Sequence, residues 1–134
     1  MVLSVYCDGG ARGNPGPAAI GVVIKNEQGI VVGKFGKKIG PTTNNVAEYT
    51  AVIEALSWMR DHRKPSRIYF YLDSQLVVSQ LNGLFKVKDG KLKMMVIKVR
   101  QGEAAVGGNV SYQHIPREKN QEADFLVNMA LETV

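Results

Sequence analysis

Val2-Leu-Ser-Val-Tyr-Cys-Asp8 runs straight into Gly9-Gly-Ala-Arg-Gly-Asn-Pro-Gly-Pro17, and this junction decides the fold. The first part is apolar at nearly every position. A strand with one face in water alternates apolar and polar residues, whereas one covered on both faces does not, so residues 2–8 read as a central strand. The second part is a dense run of backbone breakers and reads as a tight irregular loop. Working outward, residues 18–25 and 30–38 form two strands around Asn26-Glu-Gln-Gly29, a four-residue hairpin connection with glycine at its end. The period then changes: between Asn44 and His62, Ala51, Val52, Ala55, Leu56 and Met59 recur at helical spacing behind the candidate caps Thr42-Thr-Asn-Asn45. Pro65 stops that helix, and residues 67–72 make a short strand of β-formers. Ser74 caps a short helix that runs to Leu81 and ends at Gly83. Residues 91 to about 105 form a third helix and residues 109–115 the last strand. Asn120 is expected to cap a final helix whose apolar face is Ala123, Val127 and Leu131.

The order is thus βββ, α, β, α, α, β, α. Early strands joined by tight turns are antiparallel neighbours, and strands separated by helices add in parallel through right-handed crossovers. A mixed five-stranded α/β sheet flanked by helices, with the first strand near its middle, is the simplest arrangement.

Composition narrows the class. The 134 residues suit one domain spanning 1–134, and the chain reads as a complete stand-alone unit. With 45% hydrophobic and 22% charged residues it is not intrinsically disordered. No apolar run approaches the roughly 18 residues of a membrane span. The start has neither a basic region nor a small-residue cleavage site. The single Cys7 excludes an intramolecular disulfide framework and a cysteine-based zinc site. A cytoplasmic monomer with no membrane partner is expected. The net charge of +5 leaves room for a polyanionic partner without establishing one.

The acids carry the chemistry. Asp8 ends the first strand and Asp73 the fourth, so parallel neighbours would bring both to the carboxyl edge where open α/β sheets build their sites. Crowded, desolvated carboxylates repel each other unless a cation intervenes, and hard oxygen ligands favour Mg²⁺ or Mn²⁺. Glu48 tops the helix face that continues through Val52, Ala55 and Met59, and Asp124 stands above Val127 and Leu131. Each acid also has a plainer reading. Asn45-Val-Ala-Glu48 fits a capping box, acids suit helix starts, and Asp8 and Asp73 suit turns. Their conjunction on four elements favours a metal site.

These residues and their flanks, Asp8 to Pro17, Thr42-Thr-Asn-Asn-Val-Ala-Glu48, Asp73-Ser-Gln75 and Asn120-Gln-Glu-Ala-Asp124, resemble ribonuclease HI in order and across nearly the whole chain. The resemblance implies a ribonuclease H-like sheet of order 3-2-1-4-5 with strand 2 antiparallel. It implies an endonuclease that cuts the RNA strand of RNA–DNA hybrids, leaving 5′-phosphate and 3′-hydroxyl ends. Asp8, Glu48, Asp73 and Asp124 match the family's metal-binding acids, which hold two Mg²⁺ ions when substrate is bound, with Mn²⁺ a possible substitute. Gly9, Gly10, Arg12, Asn14, Asn44, Asn45 and Gln75 match substrate-binding positions that read the minor groove and the RNA 2′-hydroxyls. The Gly-rich loop would approach a ribose closely because glycine lacks a side chain.

Two departures from the family pattern stand out. Only residues 82–90 fill the interval where many members carry an extra basic helix, so the chain resembles the short, handle-less type. Many relatives also carry a histidine in a mobile loop before the last acid. Here His114 reads as a strand residue, and Arg117 is the candidate for the loop role. Lys86, Lys88, Lys91, Lys93, Lys98 and Arg100 form a basic run that suits either a solvated helix face or the phosphates of a DNA strand. The alternatives are a catalytically silent nucleic-acid-binding module of the same fold and a nuclease acting on another duplex.

Overall fold

The computed structural model describes residues 1–133; Val134, the last residue of the expected domain, lies outside them. In chain order the elements are β1 (Val2–Ala11), β2 (Gly16–Lys25), β3 (Val31–Thr42), α1 (Asn44–His62), β4 (Arg67–Leu72), α2 (Gln75–Leu81), α3 (Gly90–Ala105), β5 (Val110–His114) and α4 (Gln121–Glu132). A single 3₁₀ turn, Arg117–Lys119, precedes α4. The sheet order is β3-β2-β1-β4-β5, as expected, with β2 antiparallel to both neighbours and β4 and β5 parallel to β1.

The lack of alternation in β1 has a direct cause. Leu3, Val5 and Cys7 point into a fully buried cluster with Tyr49, Val52 and Leu56 of α1. On β2, Val22 belongs to the same cluster, while its neighbour Gly21 lies under the Ala123 backbone of α4. Successive strand residues face opposite ways, so α1 and α4 cover the two sides of the sheet. α3 packs on the outside of α1. No helix among the described residues is long and apolar enough to cross a membrane.

Four local readings need correction. Gly9, Gly10 and Ala11, taken as loop, extend β1, because Gly9 to Ala11 continue the ladder opposite Ile20 to Ala18. β3 runs to Thr42 rather than Lys38: a register shift at Ala18/Ala19 and a positive φ of 83° at Gly40 carry it past two breakers on an edge strand. The α1 cap is Thr43, whose Oγ1 accepts from the Val46 N–H at 3.3 Å, and not Asn45, which lies inside the helix. Asn120 occupies the first position before α4 but makes no side-chain cap there. Ser74 does cap α2, as expected. Between α2 and α3 there is only an irregular connection over residues 82–89, which matches the expected absence of a helical handle.

Gly9 is where the fold meets the site. A Cβ there would lie 2.3 Å from the Ala47 carbonyl carbon and oxygen of α1. The missing side chain therefore serves the seating of α1 on β1, and backbone cannot move aside as a flexible side chain would. Gly9→Ala is expected to destabilise the protein by about 2–4 kcal/mol, at or beyond the usual overpacking range. Urea denaturation with an unchanged midpoint would show that α1 is not held by this contact.

Candidate active site

The carboxyl ends of β1 and β4 open into a cavity of about 310 Å³. Asp8, Glu48, Asp73 and Asp124 all line it, so the four acids expected to converge do so. Each of Asp8, Glu48 and Asp73 offers a carboxylate oxygen within 4.8 Å of the others'. β1 and β4 place the first and third; the last paired step between them is Cys7 with Leu72, immediately before the two aspartates. α1 lowers Glu48 onto β1, where its Oε1 accepts from the Gly9 N–H at 3.2 Å. Asp8 and Glu48 are only 4% and 6% exposed. Glu48 Oε2 and Asp73 Oδ2 are buried with no hydrogen-bond partner. Buried carboxylate oxygens without donors are costly, and hard anionic oxygens crowded in this way are the donor set a divalent cation takes.

The other expected site residues divide. Gly9, Gly10, Arg12, Asn44 and Asn45 line the cavity. Asn14 Oδ1 accepts from the Asn44 N–H at 3.0 Å, and Asn44 Oδ1 accepts from the Ala11 N–H at 2.8 Å. These two side chains therefore lock the turn after β1 onto the start of α1. Arg12 forms an ion pair with Glu132 at 3.5 Å. Gln75 opens α2, is exposed and does not reach the cavity wall. Arg117 lines the cavity, whereas His114, exposed at the end of β5, does not. Two further polar residues of the wall were not assigned to the site from the sequence, Ser74 having been read only as the α2 cap. Ser74 stands beside Asp73, and Asn128, one turn after Asp124, donates to its Oδ2 at 3.4 Å. The spacing of four on a helix was the available signal for Asn128.

Comparison with known proteins agrees with this geometry. The reverse transcriptase-like family model matches residues 6–130. The ribonuclease HI of Halobacterium salinarum is 43% identical over 97% of this chain. The crystal structure of the LC11 RNase H1 in complex with an RNA/DNA hybrid superposes with a TM-score of 0.93, at 44% identity over 97% of this chain and 96% of that one. This chain belongs to the ribonuclease HI family. It spans 64% of the length of the Halobacterium ribonuclease HI, and 36% of a bifunctional protein of Mycobacterium tuberculosis to which it is 36% identical.

The electrostatics of the acidic cluster in this ribonuclease HI family member follow from crowding. Burial raises the Asp8 carboxyl to about 7, with the Asp73 charge adding to it and the hydrogen bond to Glu48 opposing it. Glu48 is pushed well above the ordinary range, first by burial and then by the Asp8 charge. The Cys7 thiol beneath them is also raised, by burial and by both carboxylates, and its S–H points to the Ala51 carbonyl.

The sign of the pH effect is fixed by these directions. Unfolded, Asp8 ionises near its ordinary 3.8; folded, it keeps its proton to about 7. The folded state binds more protons across that window, so stability falls as pH rises through it. In EDTA at pH 8, Asp8→Asn is therefore expected to melt several degrees above the parent, with the gap closing towards pH 4. Adding Mn²⁺ at pH 8 should raise the parent's melting temperature more than the variant's. A variant that melts at or below the parent at pH 8 would show that no charge repulsion is stored here.

Proposed function

We propose that this chain is an endonuclease hydrolysing the RNA strand of RNA–DNA hybrids with two divalent ions, Mg²⁺ or alternatively Mn²⁺, to leave 5′-phosphate and 3′-hydroxyl ends. The reading rests above all on the buried cluster of Asp8, Glu48 and Asp73 oxygens, two of them lacking any donor, with Asp124 on the same wall. It is supported by family membership and by the hybrid-bound LC11 relative. Asp8, Glu48, Asp73 and Asp124 would hold the ions, and bound ions of this kind activate water and offset charge on a phosphodiester.

The one thiol is no competing nucleophile: Cys7 is buried, its thiol raised, and its S–H turned to a backbone carbonyl. Substrate discrimination falls to neutral amides. Asn14 and Asn44 each point the side-chain oxygen at a backbone N–H, which leaves the NH₂ group free to donate. Donors of this kind suit the acceptors that a hybrid presents in its minor groove, its 2′-hydroxyl oxygens included. Gly9, Gly10, Asn45 and Gln75 are assigned to the same strand, and Arg12 and Arg117 to its phosphates, with Arg117 rather than His114 in the loop role. Of the basic run, the five lysines are exposed, while Arg100 is tied to Glu103 and to the Leu81 carbonyl. Lys86, Lys88, Lys91, Lys93 and Lys98 are thus free to track DNA-strand phosphates with salt-dependent, sequence-independent affinity. Residues 1–134 are taken as one ribonuclease H domain, monomeric and cytoplasmic.

The test is incubation with labelled hybrid, duplex RNA and duplex DNA in Mg²⁺, Mn²⁺ or EDTA. Cleavage of the hybrid in Mg²⁺ and Mn²⁺, lost in EDTA, is the expected result. Asp8→Asn should lower it on the order of 1,000-fold, about 4 kcal/mol in the barrier, with the fold intact by circular dichroism. Hybrid binding without cleavage would identify a silent module instead, and cleavage of duplex DNA alone would refute the substrate.

A further inference from the structure

Asn120 is 1% exposed and immediately precedes α4, the helix that carries Asp124. Its backbone, at φ −120° and ψ 28°, is not in the extended conformation of a side-chain cap, and its amide does not cap α4. Instead Nδ2 reaches across the sheet edge and donates to the Cys7 carbonyl at 2.8 Å, joining residues 113 apart in sequence. Its own carbonyl accepts from the Asp124 N–H at 3.1 Å. One residue thereby links the peptide unit before Asp8 to the first turn around Asp124 through two hydrogen bonds.

The location matters as much as the bond. Cys7 and Leu72 are the last paired step of β1 and β4; beyond it the strands part to present Asp8 and Asp73. Asn120 takes up the β1 backbone where the neighbouring strand leaves it. The side-chain oxygen, Oδ1, is buried with no partner. An unpaired buried acceptor costs about 1–3 kcal/mol, whereas an apolar residue of similar size would fill the space without that cost. Packing alone therefore does not account for an asparagine here; the Nδ2 donation does. Glu48 is attached to the same stretch of β1 through the Gly9 N–H, so each helix-borne acid is tied to β1 within one residue of Asp8.

We infer that Asn120 is a positioning residue, whose side chain sets the separation of Asp124 from Asp8 and so the affinity of the acidic site for divalent cations. The inference rests on the metal-dependent reading of the site, and the experiment separates the two. Asn120→Asp keeps the volume and removes the donor, Asn120→Ala removes the side chain, and Asn120→Ser is shorter and uncharged. Mn²⁺ binding to each metal-free full chain is measured by calorimetry. Hybrid cleavage is followed against Mg²⁺ concentration, well below each variant's melting temperature. Removing a group that orients a metal ligand typically costs 10–100-fold in metal affinity or activity, so a rise of about 10-fold or more in the Mn²⁺ Kd is expected. The Mg²⁺ half-saturation should rise alongside it, and kcat should fall about 10-fold or more while KM for hybrid stays within about twofold. Folded variants with parental Mn²⁺ affinity and kcat would overturn the inference and leave the function standing. Failure of all three variants to fold would also overturn it, by assigning Asn120 to stability alone. A parent chain that neither binds Mn²⁺ nor cleaves hybrid would remove the metal-dependent reading, and the inference with it.

Discussion

Carboxylates do not gather in a buried site unless something else holds them there. Asp8, Glu48 and Asp73 have oxygens within 4.8 Å of one another, and burial has pushed Asp8 and Glu48 above their ordinary ionisation range. The restraint comes from the end of β1. Cys7 and Leu72 close the β1–β4 ladder, the Gly9 N–H holds Glu48, and the Cys7 carbonyl holds Asn120. Behind this short stretch lies the fully buried cluster of Leu3, Val5 and Cys7 with α1. Core packing thus opposes electrostatic repulsion, and the opposition is relieved when a cation binds.

The same economy explains the glycines around the site. α1 can bring Glu48 to β1 only because Gly9 leaves room for the Ala47 backbone, and α4 can cross β2 only because Gly21 leaves room for that of Ala123. Both helices are brought closer to the sheet than a side chain would allow, one on each face. The acids they carry reach the same edge as a result.

Much of this was legible in the sequence because the signals were local and strong. The nearly continuous apolar run of Val2 to Cys7 located the central strand, Pro65 bounded β4, and Ser74 and Gly83 bounded α2. The four acids were legible because topology carries strand ends and first helical turns to one edge. What was not legible depended on contacts between distant segments. Gly9 read as loop because its tertiary partner, the Ala47 backbone, leaves no trace in composition. Of the candidate caps Thr42 to Asn45 it was Thr43 that capped α1, and Asn120 read as a cap because asparagine before a helix usually is one, whereas its side chain donates to the distant Cys7 carbonyl. Gly40 and Pro41 read as a strand end because an edge strand with a register shift tolerates both.

The distribution of charge then orders what approaches the cavity. The net charge of +5 is not spread evenly, since exposed lysines from Lys86 to Lys98 lie on α3 and the loop before it, while the acids occupy one sheet edge. A polyanionic duplex is attracted by the first surface and repelled by the second. On the cavity wall Asn44, and behind it Asn14, keep free NH₂ groups, which offer N–H donors without adding positive charge beside the carboxylates. A cationic side chain in their place would pair with the acids and blunt their demand for metal. Neutral donors leave that demand intact, so under the proposed function a phosphodiester would enter next to Asp8 together with the cations that neutralise it.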